Sequence, residues 1–243
     1  MMSIIIIVNI LVGGLVGLTG VAGFLLPMLY VTLDYSVIEA LALSFFAFFI
    51  SGVIGSINYY KYGQLNIFFG LKLGISSLIG ACIGVYYSKM IDENIIRLLL
   101  YMVVLFSGIS ILFRKDKEKN SRKEPESWKI VVIGIITAMI CSLSGAGGPI
   151  LVMPLLVVLG LNIKTAIALS LFDSIFIAIP SVIGYLGASY SSAILLKVLG
   201  ISGLAHGIGV FLGSKYNIKV NQIIIKKSVA IISILIALYK LFL

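Results

Sequence analysis

Charge is scarce in this chain: 11% of its 243 residues are Asp, Glu, Lys or Arg, where a soluble domain carries about 25%. That shortage, with 60% apolar residues and a mean hydropathy of +1.19, excludes an ordinary water-soluble fold. Cysteine is scarce as well. Cys82 and Cys141 both lie inside apolar stretches at no ligand-like spacing, so neither a disulfide framework nor a metal site is implied, and packing is their plainer use. The single histidine, His206, and nine acids form no HExxH helix, no GxSxG elbow and no acid cluster at ligand spacing. The sequence therefore speaks against an enzyme and implies no cofactor. No basic n-region or small-residue cleavage site follows Met1, so the first hydrophobic segment is expected to stay.

What the chain has instead is length of apolar run. A hydrocarbon core needs roughly 20 such residues per helix. Runs of that kind lie at Val37 to Tyr60, Asn66 to Tyr87, Asn94 to Phe113, Lys164 to Leu186, Ser192 to Leu212 and Gln222 to Leu243. Two interrupted stretches, Ile4 to Tyr30 and Lys129 to Leu159, complete eight segments of an all-α polytopic membrane protein.

The interruptions are glycine-rich: Gly17-Leu-Thr-Gly-Val-Ala-Gly-Phe-Leu-Leu-Pro27 and Ser144-Gly-Ala-Gly-Gly-Pro-Ile-Leu-Val-Met-Pro154. Lipid offers no hydrogen bonds, so unwound backbone at bilayer depth survives only where protein buries it or where it lines a cavity. Two breaks at corresponding places in two halves point to a transporter site between them. The plainer account of a single such motif is close helix packing by small residues.

A shift of 126 positions superposes Ala40-Leu-Ala-Leu-Ser44 on Ala166-Ile-Ala-Leu-Ser170, Tyr59 on Tyr185, Leu73-Gly-Ile-Ser76 on Leu199-Gly-Ile-Ser202 and Ser88-Lys89 on Ser214-Lys215. The expected organisation is an N-terminal repeat at 1–113, a charged linker at 114–129 and a C-terminal repeat at 130–243. That linker holds seven of the eighteen Lys and Arg, which places it in the cytoplasm by the positive-inside rule. If both broken segments cross fully, Lys164, Lys215, Lys219, Lys226 and Lys227 fall outside. If each enters and returns as a hairpin, the repeats are inverted and those lysines join Lys61 and the linker inside. The inverted arrangement is preferred. Lys72 and Lys197 are read as snorkelling near helix ends, and Tyr59, Tyr60, Tyr86, Tyr87 and Trp128 as interfacial anchors.

On these residues the chain resembles the sulfite exporter TauE/SafE family of membrane permeases. In that family each repeat opens with a glycine-rich segment ending in Pro and continues into an Ala-x-x-x-Ser helix. Here these are Gly20 to Pro27 with Ala40 to Ser44, and Gly145 to Pro154 with Ala166 to Ser170. The first motif departs from the pattern, with Leu18, Val21 and Ala22 where the family has glycines. The resemblance spans essentially the whole chain. It implies a permease in the cell membrane for a small anion, often sulfur-containing, such as sulfite, thiosulfate or an organosulfonate.

Physical chemistry suggests an anion independently. A half-helix beginning near Pro149 offers unpaired N–H groups and the positive end of its dipole, and proline suits a first turn. Gly145, Gly147 and Gly148 let backbone approach the ligand, with Ser142 and Ser144 as neutral donors. Thr19, Gly20 and Gly23 are the corresponding candidates in the first half. Ser44 and Ser170 return past the breaks on the following helices, though either can simply bond the preceding turn of its own helix. Asp173 is the one carboxylate well inside a predicted span, and an acid there is a functional hypothesis by default. It could take up and release a proton, making protons the coupling ion; its plainer use is a packing pair with a neighbouring helix. His206 is a second coupling candidate, either paired with Asp173 or meeting the anion, against the plainer use of satisfying a carbonyl. The partners implied are a small anion, protons and the lipid bilayer, not nucleic acid, and a homo-oligomer stays open. The rival readings are a passive anion channel of the same architecture, which needs no coupling residue, and a scaffold subunit, which needs no polar breaks.

Overall fold

The computed structural model describes residues 2–20, 22–113, 126–189 and 193–216, with isolated positions between 227 and 242. The predicted span Gln222 to Leu243 and the linker from 114 to 125 lie largely outside these. Every described element is helical: α1 (Met2–Thr19), a 3-10 turn (Ala22–Phe24), α2 (Leu25–Thr32), α3 (Val37–Lys61), α4 (Ile67–Ser88), α5 (Glu93–Phe113), α6 (Ser127–Ser144), α7 (Gly148–Val158), α8 (Ile163–Ala188) and α9 (Ala193–Tyr216). Among the described residues, six helices are long and apolar enough to cross a membrane: α1, α3, α4, α6, α8 and α9. The apolar pieces Ala22–Thr32 and Gly148–Val158 fall well short of the roughly 20 residues a crossing needs.

Side chains fix where several helices begin. Ser36 and Glu39 form a reciprocal capping box at the start of α3, with the Glu39 carboxylate accepting from the Ser36 N–H at 3.0 Å. Asn66 accepts from the Phe69 N–H at 3.2 Å to cap α4, and Asn162 from the Thr165 N–H at 2.8 Å to cap α8. At the start of α6 the Lys129 ammonium and the Trp128 indole both bond Glu126 and hold its carboxyl below the usual range. Lys72, near the start of α4, donates to Ser127 at 3.3 Å and lies over the Phe68 ring. The starts of α4 and α6 therefore share one end of the molecule.

Glycines set the helix packing. A Cβ on Gly80 or Gly84 of α4 would overlap the Ile135 or Met139 carbonyl of α6, and one on Gly134 of α6 would overlap Ser76 of α4, so these helices run parallel in close contact. In the same way Gly13 and Gly17 of α1 press on the His206 and Val210 carbonyls of α9, and Gly209 and Gly213 press back on Ile10 and Gly14. In the centre α3 runs antiparallel to α8: Phe45 stacks on Tyr185 at 5.9 Å, while Gly52 and Gly55 meet Leu171. These two are the most buried of the six spans. Gly70, Gly74 and Gly184 mark a parallel contact of α4 with α8, through Phe172, Phe176 and Val85. Gly203 and Gly207 mark the matching contact of α9 with α3, against Phe46, Ile50 and Ile54.

Gly80→Ala forces a methyl into the Ile135 carbonyl and should cost about 1–3 kcal/mol of overpacking. A fall of several degrees in the thermal midpoint of detergent-solubilised protein is expected, while Gly200→Ala, whose Cβ would meet nothing within 4 Å, should not lower it.

Both broken segments turn back. The Asn9 amide donates to the Tyr30 hydroxyl at 2.8 Å, yet Asn9 lies ten residues before the end of α1, about 15 Å at 1.5 Å per residue. Only a chain that reverses after α1 brings Tyr30 to it. In the second half, α6 and α8 both run parallel to α4, so each starts at the end where α4 starts. The chain between them, α7 included, returns to the end from which α6 set out.

Candidate functional site

The breaks form where local chemistry stops a helix. Gly145 caps α6 in the left-handed region, φ +69°, and its N–H bonds the Cys141 carbonyl at 2.9 Å. Gly147 follows at φ +73°, its carbonyl accepting from the Cys141 thiol at 3.2 Å, and α7 then starts with Pro149 in its first turn. No side chain caps α7, so its first N–H groups have neither an intrahelical partner nor a capping side chain. In the first half, Gly20 at φ +73° ends α1, and the 3-10 turn leads into α2, also without a side-chain cap.

The two breaks meet at one small cavity. Gly20 and Gly23 line it from the first half, and Ala146, Gly147, Pro149 and Ile150 from the second. Val16 of α1, Phe48 and Ser51 of α3 and Ser174 of α8 complete the wall. At about 10 Å³ the cavity holds about one water. The breaks also touch directly, since a Cβ on Gly145 would meet Pro27 at 3.2 Å as well as Leu41.

Of the candidates read from sequence, Gly20, Gly23, Gly147 and Pro149 line this cavity, and Gly148 stands beside it, 3.4 Å from the Ser174 hydroxyl for an added Cβ. The hydroxyl candidates are placed differently. Thr19 donates to the Leu15 carbonyl at 2.7 Å, Ser44 to Ala40 at 2.7 Å, Ser144 to Ile140 at 2.8 Å, Ser170 to Ile167 at 3.0 Å and Ser142 to Met139 at 3.0 Å, each within its own helix. None of these five is in the cavity wall.

Asp173 is fully buried on α8, with Ser77 of α4 and Cys141 of α6 as polar neighbours. Neither carboxylate oxygen is hydrogen-bonded, because the Ser77 hydroxyl is given to the Gly134 carbonyl at 3.3 Å. His206 is also fully buried, but on α9: it faces the Asn9 backbone, and neither ring nitrogen reaches a partner. The two coupling candidates thus occupy separate surroundings and are not bonded to each other. Around His206 the Asn9–Tyr30 pair and Ser202 form a second buried polar group. Among the described residues, no three His, Cys, Asp or Glu side chains gather as metal ligands.

Sequence reasoning missed Phe48, Ser51 and Ser174 in the wall and the Asn9–Tyr30 pair. Ser51 and Ser174 carried a signal: each follows a predicted serine on nearly the same helix face, two turns after Ser44 and one turn after Ser170. Phe48 carried none within its run of aromatics.

Six apolar crossing helices with two unwound, returning segments joined at a cavity define a multi-pass membrane protein of the transporter class. The chain belongs to the sulfite exporter TauE/SafE family, whose profile matches residues 4–240. It is similar to a probable membrane transporter protein of Methanocaldococcus jannaschii, 28% identical over 95% of this chain and 90% of that one. A probable membrane transporter protein of Bacillus subtilis is 22% identical over 98% of this chain and its own full length. One of Haemophilus influenzae is 23% identical over 96% of this chain and 95% of that one. No solved structure matches the chain.

Proposed function

We propose that this protein is a secondary transporter that moves a small sulfur-containing anion, such as sulfite, thiosulfate or an organosulfonate, across the cell membrane by alternating access, coupled to protons. The observation that carries the reading is the meeting of both breaks at one cavity beside the uncapped start of α7. Backbone N–H groups at a helix start are a ready anion site, and the Ser51 and Ser174 hydroxyls stand in the same wall, each donating within its own helix, to the Phe48 carbonyl at 3.1 Å and the Ser170 carbonyl at 2.8 Å. A cavity too small for the anion fits an occluded state better than an open pore. Membership of a sulfite exporter family supports a sulfur-containing anion, and the similarity to probable membrane transporters supports transport.

Two inverted repeats give the simplest account of the helix pairings. Exchange of the halves converts the α1–α9 contact into α6–α4 and leaves α3–α8 in place, and the caps Ser36 and Asn162 lie 126 residues apart like the other matched positions. Helix α1 enters from the end where α3 starts and α6 from the opposite end, as two re-entrant hairpins of opposite sense would. The end from which α6 enters carries Lys61, Lys129, Lys164 and Lys215, so we assign it to the cytoplasm. Rocking of one repeat against the other about the cavity then opens it to each side in turn.

The test is uptake into proteoliposomes of sulfite, thiosulfate, a sulfonate, a carboxylate and chloride, each with and without an imposed pH gradient. Saturable uptake of a sulfur anion that accumulates with the gradient supports the reading. Downhill flux of several anions without accumulation favours a passive channel, and no flux of any anion sinks the proposal.

A further inference from the structure

Phe48 stands between the two breaks. One edge of its ring faces Gly23, where a Cβ would lie 2.7 Å from Cε1, and the other faces Gly147, where a Cβ would lie 3.1 Å from Cε2. The ring is 4% exposed and shares the cavity wall with Ser51, about one turn on in α3, and with Ser174 of α8. Phe45 meets it edge to face at 5.6 Å and itself stacks on Tyr185. The Tyr185 hydroxyl in turn donates to the Ser142 carbonyl at 2.6 Å, close to the end of α6. Through these contacts the ring is braced against the helix that leads into the second break.

Size decides what this arrangement can do. The cavity holds about one water, whereas sulfite has four heavy atoms and a sulfonate more. At Gly23 and Gly147 the wall is backbone and has no side chain to withdraw, so the largest movable group is the Phe48 ring. The position 126 residues on is Ser174, so the two halves present a ring and a hydroxyl to the same space.

We infer that Phe48 is the plug of this cavity and the side chain that sets the largest anion the site admits. The inference rests on the transport reading above. Displacement of the ring makes room for the anion, and its return between the glycines closes the site behind it.

The test uses the full-length protein in proteoliposomes, with sulfite, methanesulfonate and propanesulfonate as probes and Phe48→Ala beside the parent. Because a methylene in a snug apolar site is worth about tenfold or more in discrimination, the propanesulfonate-to-sulfite uptake ratio should rise at least about tenfold. Phe48→Trp should lower it. A second readout needs no substrate: Ser51→Cys is placed in a Cys82→Ala background, where Cys141 stays as a buried thiol. Labelling of Cys at position 51 by a small water-soluble methanethiosulfonate should be slow with Phe48 and at least about tenfold faster with Phe48→Ala, or with Phe48→Leu should the alanine variant fail to insert. An unchanged labelling rate overturns the plug, as does an unchanged uptake ratio in a parent that transports. A parent that moves none of the probes removes the transport reading, and labelling alone then decides the role of Phe48.

Discussion

Gly147→Leu should abolish transport while the protein still inserts. Two costs fall on this one position. The backbone there sits at φ +73°, ψ 149°, a combination essentially reserved for glycine that costs any other residue roughly 1–3 kcal/mol. The added side chain must also enter the cavity, since its first carbon alone would lie 3.1 Å from the Phe48 ring, and overpacking of that kind costs about 1–3 kcal/mol. Borne by the states that bind or pass the anion, the sum of roughly 2–6 kcal/mol corresponds to a fall in flux of at least about thirtyfold, to background in an uptake assay. Initial uptake rates normalised to inserted protein measure it. Gly147→Ala should be intermediate, and Gly187→Leu, with nothing within 4 Å of an added Cβ, should transport like the parent. Parental flux in Gly147→Leu would take the second break out of the transport path.

The parts of this site that were legible in the sequence are those whose chemistry is rare in its surroundings. Glycine and proline clusters are uncommon inside apolar runs of this length, so the positions of both breaks could be read, down to Pro149 in the first turn of α7. Hydrophobic length likewise identified α3, α4, α8 and α9 as spans, whereas α5, expected to cross as Asn94 to Phe113, is not among the six crossing helices. Depth was not legible. Ser44 and Ser170 share a face with Ser51 and Ser174, and helix periodicity selects a face without saying which turn meets the tip of a hairpin. That depends on how far α1 and α6 run before Gly20 and Gly145 stop them, and the structure puts the tips one to two turns further along α3 and α8 than the predicted serines. Phe48 was invisible for another reason. In Phe45-Phe46-Ala47-Phe48-Phe49 four rings are alike in composition, and only the packing of two opposing glycines singles out one. The Asn9–Tyr30 pair needs the chain reversal itself, which no local pattern encodes. Asp173 and His206 stood out as ionisable groups in apolar helices, but α8 and α9 turn them toward different neighbours, Ser77 and Cys141 for the first and Asn9 for the second.

Asp173→Asn should uncouple uptake from the pH gradient. The carboxyl is fully buried, one residue before the cavity-lining Ser174, and has no hydrogen-bond donor on either oxygen. Removing one partner of a satisfied buried pair costs several kcal/mol, but no such pair exists here. The amide, nearly the same shape, should therefore fold and insert as the parent does. What the substitution removes is the capacity to bind a proton when the surroundings of α8 close and release it when they open. In the proposed cycle that exchange accompanies each anion, so the parent accumulates substrate when a pH gradient is imposed and Asp173→Asn only equilibrates it. The initial rate without a gradient should change far less than the accumulation with one. The same pair of measurements on His206→Gln separates the two candidates: its accumulation should match the parent, because His206 lies in the α1–α9 contact away from the cavity wall. Accumulation by Asp173→Asn at the parental level, with a parental pH profile, would rule the carboxyl out as the proton carrier and leave it as a packing residue between α8, α4 and α6.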